Sequence, residues 1–236
     1  MKKLGVVGGM GPAASALFYE NLIEFTDAEK DQQHIDVVLF SCASIPDRTN
    51  FLLENTTDSP VPVIKKVIAD LVKCNIEYVA IPCITAHCFY SELVRDCPVP
   101  LINIIQETVN VLYTKKIKSA CVLSTTGTAR NNLFQDEFKK NGIEYIQLNT
   151  NEQEEVMQLI YSIKSGSINY LLFQSIIQKL KKKNVCNIVL GCTELSYFNK
   201  FYDSSIMIFD CIQILAIKAL TLCDARVKKD ILSKYI

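Results

Sequence analysis

Val79-Ala80-Ile81-Pro82-Cys83-Ile84-Thr85-Ala86-His87 and Ile188-Val189-Leu190-Gly191-Cys192-Thr193-Glu194-Leu195 stand roughly a hundred residues apart and share one pattern. In each, a short apolar β-branched run leads into a cysteine, and a threonine follows within two residues. A short apolar run bounded in this way reads as a buried strand. Ligands of α/β proteins bind at the carboxyl ends of such strands. Two thiols, one from each half of the chain, are therefore placed to meet across a cleft. That arrangement suits chemistry that takes a proton from one face of a carbon and returns one to the other. Each cysteine taken alone also fits a buried core thiol, since free cysteines are among the most buried side chains.

Outward from these two segments, the chain alternates strand and helix patterns. Strand-like runs at 4–7, 36–41, 78–81 and 99–102 are separated by a glycine turn at 8–12, a loop at 45–49 and helical spacing at 13–19 and 61–73; a further helix runs on through 111. The pattern then restarts. Strands are expected at 120–123, 145–148, 188–190 and 206–209, with helices through 138, at 152–164 and 169–181, and through 222. Such alternation implies parallel sheets in α/β layers. The two rounds imply two similar halves. The last strand and helix are expected to return to the first half, because the second already holds its own cysteine strand. The expected division is 1–103 plus 208–236, carrying Cys83, and 104–207, carrying Cys192.

Composition limits the function classes. The 236 residues, 49% of them hydrophobic, are enough for a sizeable core. The formal net charge is zero, and the one basic run, 179–183, reads as the solvated face of a helix. Nucleic acid is therefore not an expected partner. Ten cysteines raise the question of disulfides. They are scattered singly within apolar segments, without a Cys-x-x-Cys pair, so free thiols are expected rather than a disulfide framework or a zinc ribbon. Met1-Lys2-Lys3-Leu4 passes directly into a strand, which reads as the absence of a signal peptide. No apolar run approaches the roughly 18 residues of a membrane span. A cytoplasmic setting is the expectation.

The remaining polar residues cluster at expected strand ends. Gly8-Gly9-Met10-Gly11-Pro12 matches neither phosphate-loop nor dinucleotide patterns. It reads instead as a turn that lets backbone pass close to a small ligand at a helix start. Thr85, Thr193 and the run Ser124-Thr125-Thr126-Gly127-Thr128 offer hydroxyls and N–H groups for a carboxylate. Capping accounts for any one of them; their convergence at strand ends favours a ligand site. Arg48 can hold a carboxylate with its planar fork, although a loop arginine is usually a surface residue. Lys164 closes a helix, where a lysine also suits the helix dipole. Cys83, His87 and Cys88 fit no standard zinc spacing, so no metal is expected.

Taken in order, Gly8-Gly9-Met10-Gly11-Pro12, Asp47-Arg48-Thr49, Pro82-Cys83-x-Thr85-Ala86-His87, Thr125-x-Gly127-Thr128 and Gly191-Cys192-Thr193-Glu194-Leu195 resemble the aspartate/glutamate racemase family, in particular aspartate racemases that work without pyridoxal phosphate. The resemblance spans almost the whole chain. It implies two Rossmann-like domains related by a pseudo-twofold axis, with the active site in the cleft between them, and a homodimer. It implies Cys83 and Cys192 as the acid/base pair, no cofactor and no metal. It also implies a substrate-binding set of Met10, Arg48, Ile84, Thr85, Thr125, Gly127, Thr128, Lys164, Thr193 and Glu194, with Arg48 and Lys164 on the distal carboxylate of aspartate or glutamate. The family usually has asparagine after the first cysteine, on the α-carboxylate; here that position is Ile84. Two other outcomes stay open on this architecture: a relative that binds an amino acid or dicarboxylate without catalysis, and a diacid isomerase with paired cysteines.

Overall fold

Strand β1 (Leu4–Gly8) is buried along its whole length. Its side chains divide with the period of two that a strand imposes: Leu4 and Val6 enter one apolar cluster, Val7 another. The computed structural model describes residues 1–201 and 203–235; Tyr202 and Ile236, the last residue of the 208–236 segment, lie outside the described residues. β1 is the middle strand of a parallel sheet ordered β2-β1-β3, with β2 at Val37–Ser41 and β3 at Tyr78–Ala80. A second parallel sheet is ordered β5-β4-β6-β7, from β4 (Ser119–Ser124), β5 (Glu144–Ile146), β6 (Asn187–Gly191) and β7 (Met207–Asp210). In both halves the first strand lies between the second and the third, so the halves repeat one topology.

Two expectations change here. Residues 99–102 form no strand and contribute one parallel bridge, Val79 to Leu101. Pro98 and Pro100 bring no N–H to a longer ladder. The fourth strand, β7, pairs with β6 and belongs to the second sheet, so a boundary at 207/208 cuts that sheet. The helix after it packs in an apolar cluster that takes in strands of both sheets.

The helices fill three layers. α1 (Pro12–Phe25), α5 (Ile104–Thr114), α7 (Leu133–Lys140) and α10 (Cys211–Leu222) lie in one apolar cluster with the inner faces of both sheets. Phe18, Val109, Phe138 and Leu215 meet Val6 and Ala80 of the first sheet and Val122 and Val189 of the second in this cluster. On the outer face of the first sheet lie α3 (Val61–Val72) and α4 (Tyr90–Arg95). On the outer face of the second lie α8 (Thr150–Lys164) and α9 (Tyr170–Lys182). Full burial of a Leu, Val or Phe side chain is worth about 1.5–3 kcal/mol, against about 1 kcal/mol for a neutral hydrogen bond. The shared helical layer, rather than the polar contacts of the cleft, therefore holds the halves together. Three short helices complete the order: α2 (Arg48–Leu52), α6 (Thr126–Arg130) and α11 (Lys229–Tyr235). Among the described residues no helix is long and apolar enough to cross a membrane.

The turn after β1 is built on Gly9. Its φ is +93°, and a Cβ there would lie 2.3–2.6 Å from the backbone of Cys42. The Gly9 N–H donates to Ser15 Oγ at 2.9 Å, which fixes the turn against the first turn of α1. Gly9→Ala is expected to cost about 1–3 kcal/mol or more, from left-handed strain with a clash added. The measurement is the midpoint of chemical denaturation, and an unchanged midpoint would contradict this account.

Candidate active site

Cys83 leaves the end of β3 through Ile81-Pro82, and a 3-10 helix at Thr85–Phe89 follows. His87 fixes this turn from behind. Its Nδ1 lies 3.0 Å from the Cys83 carbonyl oxygen, and the Ile104 N–H donates to its Nε2 at 3.4 Å. Nε2 also lies 3.4 Å from the Ile102 carbonyl oxygen, so the ring is held between the Cys83 and Ile102 carbonyls. Burial lowers the pKa of the ring, against the opposing effect of these carbonyl contacts, and favours the neutral imidazole.

Cys192 leaves β6 in the same way, and a 3-10 helix at Thr193–Phe198 follows. A Cβ on Gly191 would lie 2.4 Å from Val122 Cγ1, so glycine lets β6 sit close against β4 here. The 3-10 helix is tied to the start of α10 through buried Asp210, which accepts from Ser196 Oγ at 2.7 Å, Asn199 Nδ2 at 3.2 Å and the Ile212 N–H at 3.0 Å. Burial raises the Asp210 carboxyl, and these three donors oppose the rise.

Both cysteines line one cavity, together with Met10, Asp47, Arg48, Thr49, Ile84, Thr85, Thr125, Lys164, Thr193 and Glu194. Each cysteine is 5% exposed. The space open to the centre of a water molecule is about 10 Å³, which is about one water's worth. An amino acid needs far more, so the cleft must open to admit one.

The charges are concentrated on the Cys192 side. The Cys192 thiol donates to Glu194 Oε2 at 3.0 Å, and Thr193 Oγ1 donates to the same oxygen at 3.3 Å. Lys164 Nζ lies 4.0 Å from Glu194 Oε1. Burial first, then the charge and hydrogen bond of Glu194, push the Cys192 thiol well above its ordinary range, while Lys164 opposes them. Burial works against the charge on Lys164, but Glu194, and after it Cys192, Cys83 and Asp47, outweigh burial and raise its pKa. Lys164 therefore feels both thiols. Cys88 is pushed up to about 12 by burial, with a smaller contribution from Cys83. Among the described residues no three His, Cys, Asp or Glu side chains group as metal ligands.

Arg48 differs from its expected setting. It opens helix α2 rather than lying in a loop, because Asp47 caps that helix by accepting the Asn50 N–H at 2.7 Å. Its Nη1 donates to the carbonyls of Ile45 (3.2 Å) and Pro46 (3.0 Å), and its Nη2 to Met10 (3.0 Å). The side chain is buried, and its Nε has no hydrogen-bond partner among the described residues.

The threonines join the halves. Thr85 Oγ1 lies 3.0 Å from Thr125 Oγ1 and 3.1 Å from Thr128 Oγ1, and the latter two are 3.1 Å apart. Gly127 allows α6 to approach α2, since a Cβ there would be 3.2 Å from Thr49 Cα. Thr128 and Gly127 stand behind the cavity lining rather than in it. Sequence reasoning did not assign His87 and Asp210 as the groups that hold the two cysteine turns. The placement of His87 four residues after Cys83 was a usable sign; nothing near Asp210 in sequence marks it.

A family model described as Asp/Glu/Hydantoin racemase matches residues 7–219. The chain belongs to that family. This family member is 29% identical over 224 residues, 90% of its own length and 94% of the relative's, to the broad specificity amino-acid racemase RacX of Bacillus subtilis (strain 168). It superposes on the Picrophilus torridus aspartate racemase with a TM-score of 0.90 and 29% identity, each chain covered in full. With a glutamate racemase from Francisella tularensis subsp. tularensis SCHU S4 in complex with D-glutamate it shares the fold, at a TM-score of 0.66 and 18% identity over 94% of this chain and 80% of that one. It is an enzyme of the amino-acid racemase class, with the paired parallel sheets of that fold.

Proposed function

We propose that the protein interconverts the L- and D-forms of an acidic amino acid, aspartate or glutamate, by a cofactor-independent mechanism with two cysteine bases. The observation that carries this reading is that Cys83 and Cys192, one from each half, line a single closed cavity with Lys164 and Arg48. One thiolate takes the Cα proton, and the other thiol delivers a proton to the opposite face. Acid–base placement of this kind contributes roughly 10²–10⁴-fold. Lys164 supplies positive charge that favours a thiolate at Cys192. Thr85 and Thr125 offer hydroxyls to the α-carboxylate, and the free Arg48 Nε and Lys164 offer donors to the side-chain carboxylate. The reading requires neither pyridoxal phosphate nor a metal. The family resemblance extends it to a cytoplasmic homodimer, which cell fractionation and sedimentation of the purified protein test.

A second reading has support of its own. Glu194 offsets the charge of Lys164, and Ile84 gives the lining an apolar wall. Both favour a neutral side chain over an acidic one, so a broader substrate range is the alternative. Proton NMR in heavy water, with no added cofactor, tests both. Loss of the Cα–H signal from both enantiomers of aspartate or glutamate, faster than from neutral amino acids, is the expected result. Faster exchange from neutral amino acids selects the second reading. Exchange from none of a broad panel would sink both.

A further inference from the structure

We infer that Glu194 is a positioning residue that holds Cys192 as a thiol and so makes the two cysteines unequal, with Cys192 entering the cycle as the acid and Cys83 as the base; the inference deepens the two-cysteine reading and rests on it. The geometry is direct. Glu194 Oε2 accepts from the Cys192 thiol at 3.0 Å, and it can do so only while the sulfur carries its proton. Glu194 is 6% exposed, and its carboxylate is held by two further side chains. Thr193 donates to the same oxygen, and Lys164 stands 4.0 Å from the other. Among the described residues no carboxylate hydrogen-bonds the Cys83 sulfur. The two thiols thus share a cavity but not an environment.

Lys164 reaches in from α8, Asp47 and Arg48 stand at the start of α2, and Cys83 lines the opposite half. Behind the turn, Asp210 is occupied by Ser196, Asn199 and the Ile212 N–H. The first turn of α1 brings no titratable side chain. Lys164 and the Glu194 backbone N–H oppose the Glu194 carboxylate at Cys192, and Lys164 is itself drawn toward Glu194. In a turnover, the Cys83 thiolate takes the Cα proton and becomes a thiol. Cys192 gives its proton to the other face and becomes a thiolate. Between turnovers in the same direction, Cys192 regains a proton from water and Cys83 releases one.

Alkylation with iodoacetamide at pH 7, followed by peptide mapping, reads this without any assay of turnover. Reaction at each site follows its thiolate fraction. Because both thiols line one cavity, opening of the cleft admits reagent to both, and the ratio of the two rates cancels it. In wild type Cys83 should react about tenfold or more faster than Cys192. Glu194→Gln keeps an acceptor but removes the charge, and should raise the Cys192:Cys83 ratio about tenfold; Glu194→Asp should restore a ratio near wild type. Equal rates in wild type, or a ratio unmoved in a cooperatively folded Glu194→Gln protein, would overturn the inference. An active racemase with an unmoved ratio removes the inference and leaves the two-cysteine reading. A moved ratio in a protein that exchanges no amino acid counts for the hold of Glu194 on Cys192 and against that reading.

Discussion

Alanine at Cys83 or at Cys192 should lower racemisation by about 10²–10⁴-fold or more without unfolding the protein. Each cysteine is buried, Cys83 in the outer core of the first sheet and Cys192 in that of the second. Losing one sulfur atom leaves only a small void, so a modest stability cost is expected. The catalytic cost is large because neither proton transfer can be taken over by a neighbour in the cavity. Lys164 is held protonated and Glu194 is engaged with Lys164 and Thr193. Each single variant still keeps one base. It should therefore exchange Cα–H for one enantiomer of aspartate while failing to invert it, which NMR in heavy water and circular dichroism of the substrate separate. Cys121→Ala is the control, since burial pushes that thiol up to about 12 and it lies outside the cavity. It should leave the rate unchanged. A variant at Cys83 or Cys192 that racemises at the wild-type rate would sink the two-thiol mechanism.

Much of the frame was legible because it is written in local patterns. The runs before Cys83 and Cys192 are short, β-branched and bounded, and both became buried strands ending at the cleft. The helix at Val61–Val72 was expected one residue longer. What was less legible depends on partners distant in sequence. The register of 206–210 looks the same whether that strand pairs with β3 or with β6, and only the fold decides for β6. The shared middle layer left one sign: α10 is apolar nearly all round, with Ile212, Ile214, Leu215, Ala216, Ile217, Ala219 and Leu220 buried. A helix of that kind is covered on most sides. In the site, the cysteines and threonines could be placed because strand ends place them. The hydrogen bonds of Arg48 could not, because backbone carbonyls carry no residue identity.

Those hydrogen bonds change what Arg48→Ala should do. Read from sequence, the residue is a carboxylate fork, and its loss should penalise acidic substrates far more than neutral ones. In the structure both terminal nitrogens are spent on the carbonyls of Met10, Ile45 and Pro46. Truncation removes the donors to all three. A buried acceptor left unsatisfied costs about 1–3 kcal/mol, so the denaturation midpoint should fall clearly. Met10 and Asp47 line the cavity beside it, so activity on every substrate should fall as well. Superimposed on this is the role of the unpartnered Nε. If it serves the side-chain carboxylate, losing a bond to a charged group costs roughly 1.5–3 kcal/mol, and kcat/KM for aspartate should fall about ten- to a hundred-fold further than for a neutral amino acid. Arg48→Lys separates the two roles only in part, since a single ammonium cannot span three carbonyls and a carboxylate; it should recover some stability and little activity. The deciding quantity is therefore the ratio of acidic to neutral turnover. Equal losses on both would make Arg48 a brace for the Met10 turn and leave Lys164 as the cation available to the distal carboxylate. A selective loss on aspartate would give Arg48 both tasks. Full stability in Arg48→Ala would contradict the brace itself, because the buried carbonyls of Met10 and Ile45 cannot lose their donor without cost.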